Sequence, residues 1–213
     1  MYPSETAPER RADFIVHAVS LIGLVIASVF LFRKAAMSEY LAVLIAVTVY
    51  AAAILSSVSI SFAYHLSPRH DLRPAMRRWD HAAIYLVIAG TFSPLMIVAG
   101  TWSAHAILAA IWIFAAIGVG FKMLASDFAG RWSLISYLGM GWFGLFALPD
   151  FWNGLPGFST AAIGAGGLFY TLGTLFYRKK GMRFRYPIWH LFGTLGGSSF
   201  FAAIWVAIGG WEI

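Results

Sequence analysis

The chain predicts an all-α fold: one polytopic domain of seven membrane-spanning helices. Three observations predict it. Hydrophobic residues make up 60% of the 213 residues and charged ones only 11%, with a mean hydropathy of +0.76, a balance foreign to ordinary soluble domains. The apolar residues fall in continuous runs of about 20, the length a helix needs to cross a bilayer. They lack the alternation of a barrel strand. Finally, the Lys and Arg residues concentrate in alternate loops, with only Arg33 and Lys34 on the other side.

Taken in order, residues 1–13 are polar and are expected to lie loosely on the cytoplasmic surface. The first span, 14–32, follows Arg10 and Arg11. It is too long for a signal-peptide core and leads into Arg33 and Lys34 rather than a cleavage site, so it reads as a true span. Its His17 is expected to be an interfacial or locally satisfied histidine. The second span, 41–64, ends at His65, and Ser67 and Pro68 stop it. His70, in the loop beyond, reads as solvated. The third, 82–99, carries Thr91, Ser93 and Pro94; the proline bends the helix, and the hydroxyls are placed to satisfy backbone groups it frees.

The fourth span, 104–124, is flanked by Lys122 and Asp127, read as interface anchors. The fifth, 132–148, is the shortest and contains Gly139, Gly141 and Gly144 in a GxGxxG pattern. That pattern signals a dinucleotide site only between a strand and a helix. Inside an apolar run it predicts close helix packing, as do Gly164, Gly166, Gly167 and Gly173 in the sixth span, 158–177, and Gly193, Gly196 and Gly197 in the seventh, 186–208. Trp142, Trp152, Trp189 and Trp211 are assigned to interfaces and core.

An odd number of spans puts the termini on opposite sides. Arg10 and Arg11, the Arg69 to Arg78 loop, Lys122 with Arg131, and the Arg178 to Arg185 loop all fall on one side, which by the positive-inside rule is cytoplasmic. The N-terminus is therefore expected inside and the C-terminus outside. The formal charge of +6 is accounted for by these loops and by anionic headgroups, not by nucleic acid. With no cysteine there is neither a disulfide framework nor a thiolate metal site.

The chemistry concentrates in 56–81 and opposite it near His190. Ser57, Ser61 and His65 are spaced four apart and share one helix face, a polar stripe that must face protein. Asp80 and His81 open the next span, and His190 lies about one turn into the last. The topology places these groups in one layer near the cytoplasmic face. Ionisable groups in such positions turn toward partners inside the bundle. One reading is a structural polar cluster. The other is a metal site, because imidazoles are the usual zinc ligands, a catalytic zinc keeps a position for water, and a carboxylate such as Asp80 steers that water.

Three motifs then stand in register. Ser61 to His65 has the form S-x3-H; Asp80, His81 and Ile84-Tyr85 lead to Gly90-Thr91 and Pro94 in a DHxxIY and GTxxP pattern; and Trp189-His190-Leu191-Phe192 reads WHLF. Together, over nearly the whole chain, these resemble the hemolysin III family, the bacterial branch of the progestin and adipoQ receptor proteins. The resemblance implies a cytoplasmic-side zinc held by the S-x3-H histidine and by two histidines of an H-x3-H motif on the last helix. Carried over, His65 and His190 become metal ligands, Asp80 the water-holding catalytic carboxylate and Ser61 its support.

The first histidine of H-x3-H falls on Tyr186, and a second position where relatives often show histidine falls on Phe200. The third ligand is therefore Tyr186 as a phenolate, or His81, or the metal is lost. The implied function is a multi-pass cell-membrane protein acting as a zinc-dependent hydrolase of a lipid amide. The alternatives are a non-catalytic lipid-binding, receptor-like or membrane-homeostasis relative without metal, and a cytolysin.

Overall fold

The computed structural model describes residues 2–124 and 131–209, so Asp127 and Trp211 lie outside the described residues. Among the described residues the regular elements are helices: α1 (Ala7–Ala36), α2 (Leu41–Leu66), α3 (Arg73–Ala99), α4 (Trp102–Leu124), α5 (Arg131–Phe143), α6 (Leu148–Gly154), α7 (Gly157–Arg178) and α8 (Arg185–Ala207). Six stretches are long and apolar enough to cross a membrane: Ala7–Ala36, Leu41–Leu66, His70–Ala99, Trp102–Leu124, Trp132–Gly154 and Arg185–Ala207. The sixth expected span falls on α7, a helix of 22 residues whose glycines, serine and threonines leave it outside that apolar set.

The N-terminal segment departs from expectation. Residues 1–13 were expected to lie loose, yet α1 begins at Ala7 behind a capping box in which Thr6 and Glu9 satisfy each other's backbone N–H groups. Asp13 is fully buried, and the Ser4 hydroxyl reaches back to it at 2.8 Å. The outer face of α1 is apolar and exposed at Phe14, Ile15, Val19 and Ile22, as a surface meeting lipid tails should be. Asp13 occupies the opposite, protein-facing side.

Helix α3 runs through the centre and is buried along most of its second half, from Ala89 to Met96. Pro94 lies inside it, and Ser93 donates to the Ala89 carbonyl at 2.9 Å while accepting from the Trp112 indole at 3.1 Å. Lys122 is not an interface anchor: it is buried, with its ammonium on the Ser133 hydroxyl of α5. Between α5 and α6 lies a single 3-10 turn (Gly144–Ala147), and Pro149 fits in the first turn of α6, where a missing N–H costs nothing.

The expectation of close packing at the glycines is met at only some of them. Gly144 lies against the Phe92 ring; a Cβ at Gly166 would stand 2.6 Å from the Phe200 ring, one at Gly173 2.8 Å from Phe192 Cβ, and one at Gly196 2.8 Å from Tyr170. Those four let helices and rings approach. By contrast, Gly139, Gly141, Gly164 and Gly193 have nothing within 4 Å of a Cβ position. Three of these, Gly141, Gly164 and Gly193, line an interior cavity instead.

Candidate metal centre

The site is assembled by one stripe on each of three helices. On α1, Glu9, Asp13, His17 and Ser20 follow each other at helical spacing and face inward. Glu9 fixes the register: its carboxylate accepts the backbone N–H of Phe184 at 2.9 Å, at the entrance to α8. Phe184 holds φ 56°, a left-handed conformation unusual for a bulky residue, so this bond stabilises a costly turn. Further along, the Ser20 and Thr194 hydroxyls meet at 2.7 Å. Between these two ties, α1 presents Asp13 and His17 to His190 of α8 and to Ser61 and His65 of α2.

Asp13 is the hub. His190 Nδ1 donates to its Oδ1 at 2.7 Å, and His65 Nδ1 donates to its Oδ2 at 2.9 Å. Ser4 adds a third donor. His17 Nδ1 donates to the Asp13 backbone carbonyl at 2.9 Å, and its Nε2 lies 3.2 Å from the Ser61 hydroxyl, which therefore donates to it. The ring centroids are 4.2 Å apart for His17 and His190, 4.5 Å for His65 and His190, and 5.6 Å for His17 and His65. Asp13, His65 and His190 each offer a ligand atom within 4.8 Å of the others, a donor set able to hold a metal ion. One carboxylate and imidazoles suit zinc and similar divalent metals.

A cavity of about 1460 Å³ adjoins the cluster, larger than the roughly 300 to 1,000 Å³ of most small-molecule sites. His17, His65, His190, Ser61 and Asp80 line its polar end, with Arg77, Arg178 and Arg185 at the rim. Its long wall is apolar, formed by Leu24, Ile54, Ile88, Phe92 and Phe200 among others, and it reaches Phe151 and Thr160 at the far end. From Arg178 back to Thr160 along α7 is about 27 Å at 1.5 Å per residue. That is close to the thickness of a bilayer's hydrocarbon core.

The residues singled out from sequence fare differently. His65 and His190 come into contact. Ser61 reaches His17, and Asp80 neighbours Ser61 and His65 on the cavity wall. Tyr186 packs its ring edge against His65, centroids 5.1 Å apart, under the Arg185 guanidinium. His81 lines the cavity but stands outside the Asp13, His65 and His190 group; its carbonyl accepts the Tyr137 hydroxyl at 2.9 Å.

Two residues of the cluster were missed. Asp13 falls in the segment expected to lie loose; His17, expected to be interfacial or locally satisfied, does donate to the Asp13 carbonyl four residues back, but it is also 3% exposed and in ring contact with both other histidines. The same four-residue spacing that marked Ser61 and His65 also links Glu9, Asp13 and His17. A window drawn on hydropathy does not take it in, because Asp13 precedes the apolar run.

A family model described as "Haemolysin-III related" matches residues 8–201. The chain is 30% identical over 209 residues to the "Hemolysin-3 homolog" of Bacillus subtilis (strain 168), covering 95% of this chain and 96% of that protein. It is 29% identical over 192 residues to the "Hemolysin-3" of Bacillus cereus, covering 90% and 87%. This multi-pass membrane protein belongs to the haemolysin-III-related family.

Proposed function

We propose that this protein is a zinc-dependent hydrolase of a lipid amide, with the metal carried at the cluster of Asp13, His65 and His190. One observation carries the reading: these donors meet beside the polar end of a long, apolar cavity, which His65 and His190 line. A metal bound there supplies a Lewis acid and brings a water's pKa down to about 7. The chain's own residues do the rest. Asp80, on the cavity wall, holds and orients the attacking water and takes its proton; Ser61 supports it with a hydroxyl already oriented by His17. The acyl chain lies along Leu24, Ile88 and Phe92, which exclude water from the reacting end. In this proposal α7 completes seven spans, the N-terminus and the Arg-rich rim face the cytoplasm, and the C-terminus lies outside.

Protein purified in detergent is expected to hold about one zinc per chain by elemental analysis, to lose it in His65→Ala and His190→Ala, and to release fatty acid from a long-chain lipid amide. Absence of metal in the wild type after zinc loading would overturn the reading. A second reading, a metal-free lipid-binding or receptor-like relative, is favoured by Tyr186, which packs on His65 where the family motif has histidine. It predicts lipid retained after chelation and no functional loss in His65→Ala. Lysis rests only on the relatives' names, and a haemolysis assay against a detergent control tests it.

A further inference from the structure

We infer that His17 is the third imidazole of the metal site, and that Asp13 stands behind the three histidines as the carboxylate that orients them. The inference rests on the metal reading above and assigns its ligands. The cavity decides which groups a bound ion and its water meet. His17, His65 and His190 all line it, whereas Asp13 has no exposed surface and is not part of its wall.

The hydrogen bonds give the same division. His65 and His190 each use Nδ1 to donate to an Asp13 oxygen, and His17 uses Nδ1 to donate to the Asp13 carbonyl. A neutral imidazole that donates from one nitrogen keeps a lone pair on the other. Each ring thereby keeps an Nε2 lone pair; that of His17 accepts the hydroxyl of Ser61, the neighbour of Asp80, and a bound ion would take that hydroxyl's place. A carboxylate or carbonyl on the far nitrogen is the usual support of a metal-bound histidine. Asp13 serves two rings with its side chain and the third with its backbone. If Asp13 itself ligated, two rings would lose that support and the ion would sit behind the imidazoles, away from the cavity.

Tyr186 and His81 are then dispensable for the metal. Tyr186 offers a phenol where a soft nitrogen is wanted, and its ring is already committed to packing on His65 and to the Arg185 guanidinium. The imidazole missing from the last helix is supplied by the first.

The test loads metal-stripped, full-length protein in detergent with Zn²⁺ or Co²⁺, and reads affinity and the cobalt absorption spectrum. His17→Ala is expected to weaken Zn²⁺ binding by more than about 100-fold, the upper range for losing a supporting group, and to change the cobalt spectrum. Asp13→Asn is expected to weaken it by about 10- to 100-fold with the cobalt spectrum kept. Tyr186→Phe and His81→Ala are expected to leave affinity within about 3-fold, well short of either loss. X-ray absorption on the zinc-loaded wild type, which needs no variant to fold, should count three imidazoles and no protein carboxylate. Wild type that binds no metal overturns this assignment together with the parent reading. Wild type that binds zinc through two imidazoles and a carboxylate, or His17→Ala that binds as tightly as wild type, overturns this assignment alone.

Discussion

Two aspartates sit at opposite ends of the bundle, both tied down by several donors, and their company differs. Asp150, in α6, accepts from the hydroxyls of Thr101 and Ser103 at 2.6 Å each. Thr101 in turn caps the backbone N–H of Ala104 at the start of α4. That is a helix-terminus device, in which each group satisfies a backbone or hydroxyl need. Asp13 accepts instead from two imidazoles and one hydroxyl, and the imidazoles keep a nitrogen facing a cavity. A nearly buried carboxylate is therefore no functional mark by itself. What its donors have left to offer, and where they offer it, separates a site from a clamp.

The largest expected effect breaks the comparison at its hub. Asp13→Ala leaves the Nδ1–H groups of buried His65 and half-buried His190 and the Ser4 hydroxyl without their acceptor, at about 1–3 kcal/mol for each orphaned donor. Thermal unfolding in detergent should show a large fall in Tm, and added zinc should not restore the wild-type value. A Tm within error of wild type would mean that the three-helix junction does not depend on this carboxylate. Asp150→Ala sharpens the contrast. It removes two hydroxyl bonds and indirectly loosens one cap, for about 1–2 kcal/mol. Metal affinity should stay at the wild-type value, because nothing at that end reaches the cluster. A loss of metal comparable to that of Asp13→Asn would make the two aspartates equivalent after all.

The smallest effect tests how the hub is positioned. Glu9→Ala removes one half of the capping box and the bond to the Phe184 N–H, at about 1 kcal/mol. With α1 no longer pinned to the entrance of α8, Asp13 and His190 should hold each other less tightly. A several-fold drop in zinc affinity is expected, measured by competition with a chelator, while Asp150→Ala shows none. Equal affinities in the two variants would argue that the Ser20 to Thr194 contact alone sets the register of α1 against α8.

Much of the site was legible in advance because α2 has a simple signature. Ser57, Ser61 and His65 form a polar line in a greasy helix, and such a line has to face protein. His190 is legible from the topology, which sets it about one turn into the last span, in the same layer as His65. Asp13 and His17 were not read from a stripe of the same kind, because a window drawn on hydropathy alone begins where the charges end. The helix begins earlier, where Thr6 and Glu9 cap it. The glycines show the reverse failure. Their composition promised tight packing throughout, yet Gly141, Gly164 and Gly193 border the cavity, since small residues equally well leave room.

By itself the sequence determined that this is an all-helical multi-pass membrane protein, and that histidines from the second and last apolar runs are available at one end. Those conclusions follow from hydropathy, helix length and charge placement, which are local properties and survive without knowledge of neighbours. Only the tertiary structure decided that the first helix turns Asp13 and His17 into the same pocket, that His81 stands apart, and that a long cavity opens beside the imidazoles. Each of these depends on how one helix is rotated against another. That rotation is set by a few bonds between distant residues, Glu9 to Phe184 and Ser20 to Thr194 among them, whose pairing no local pattern encodes.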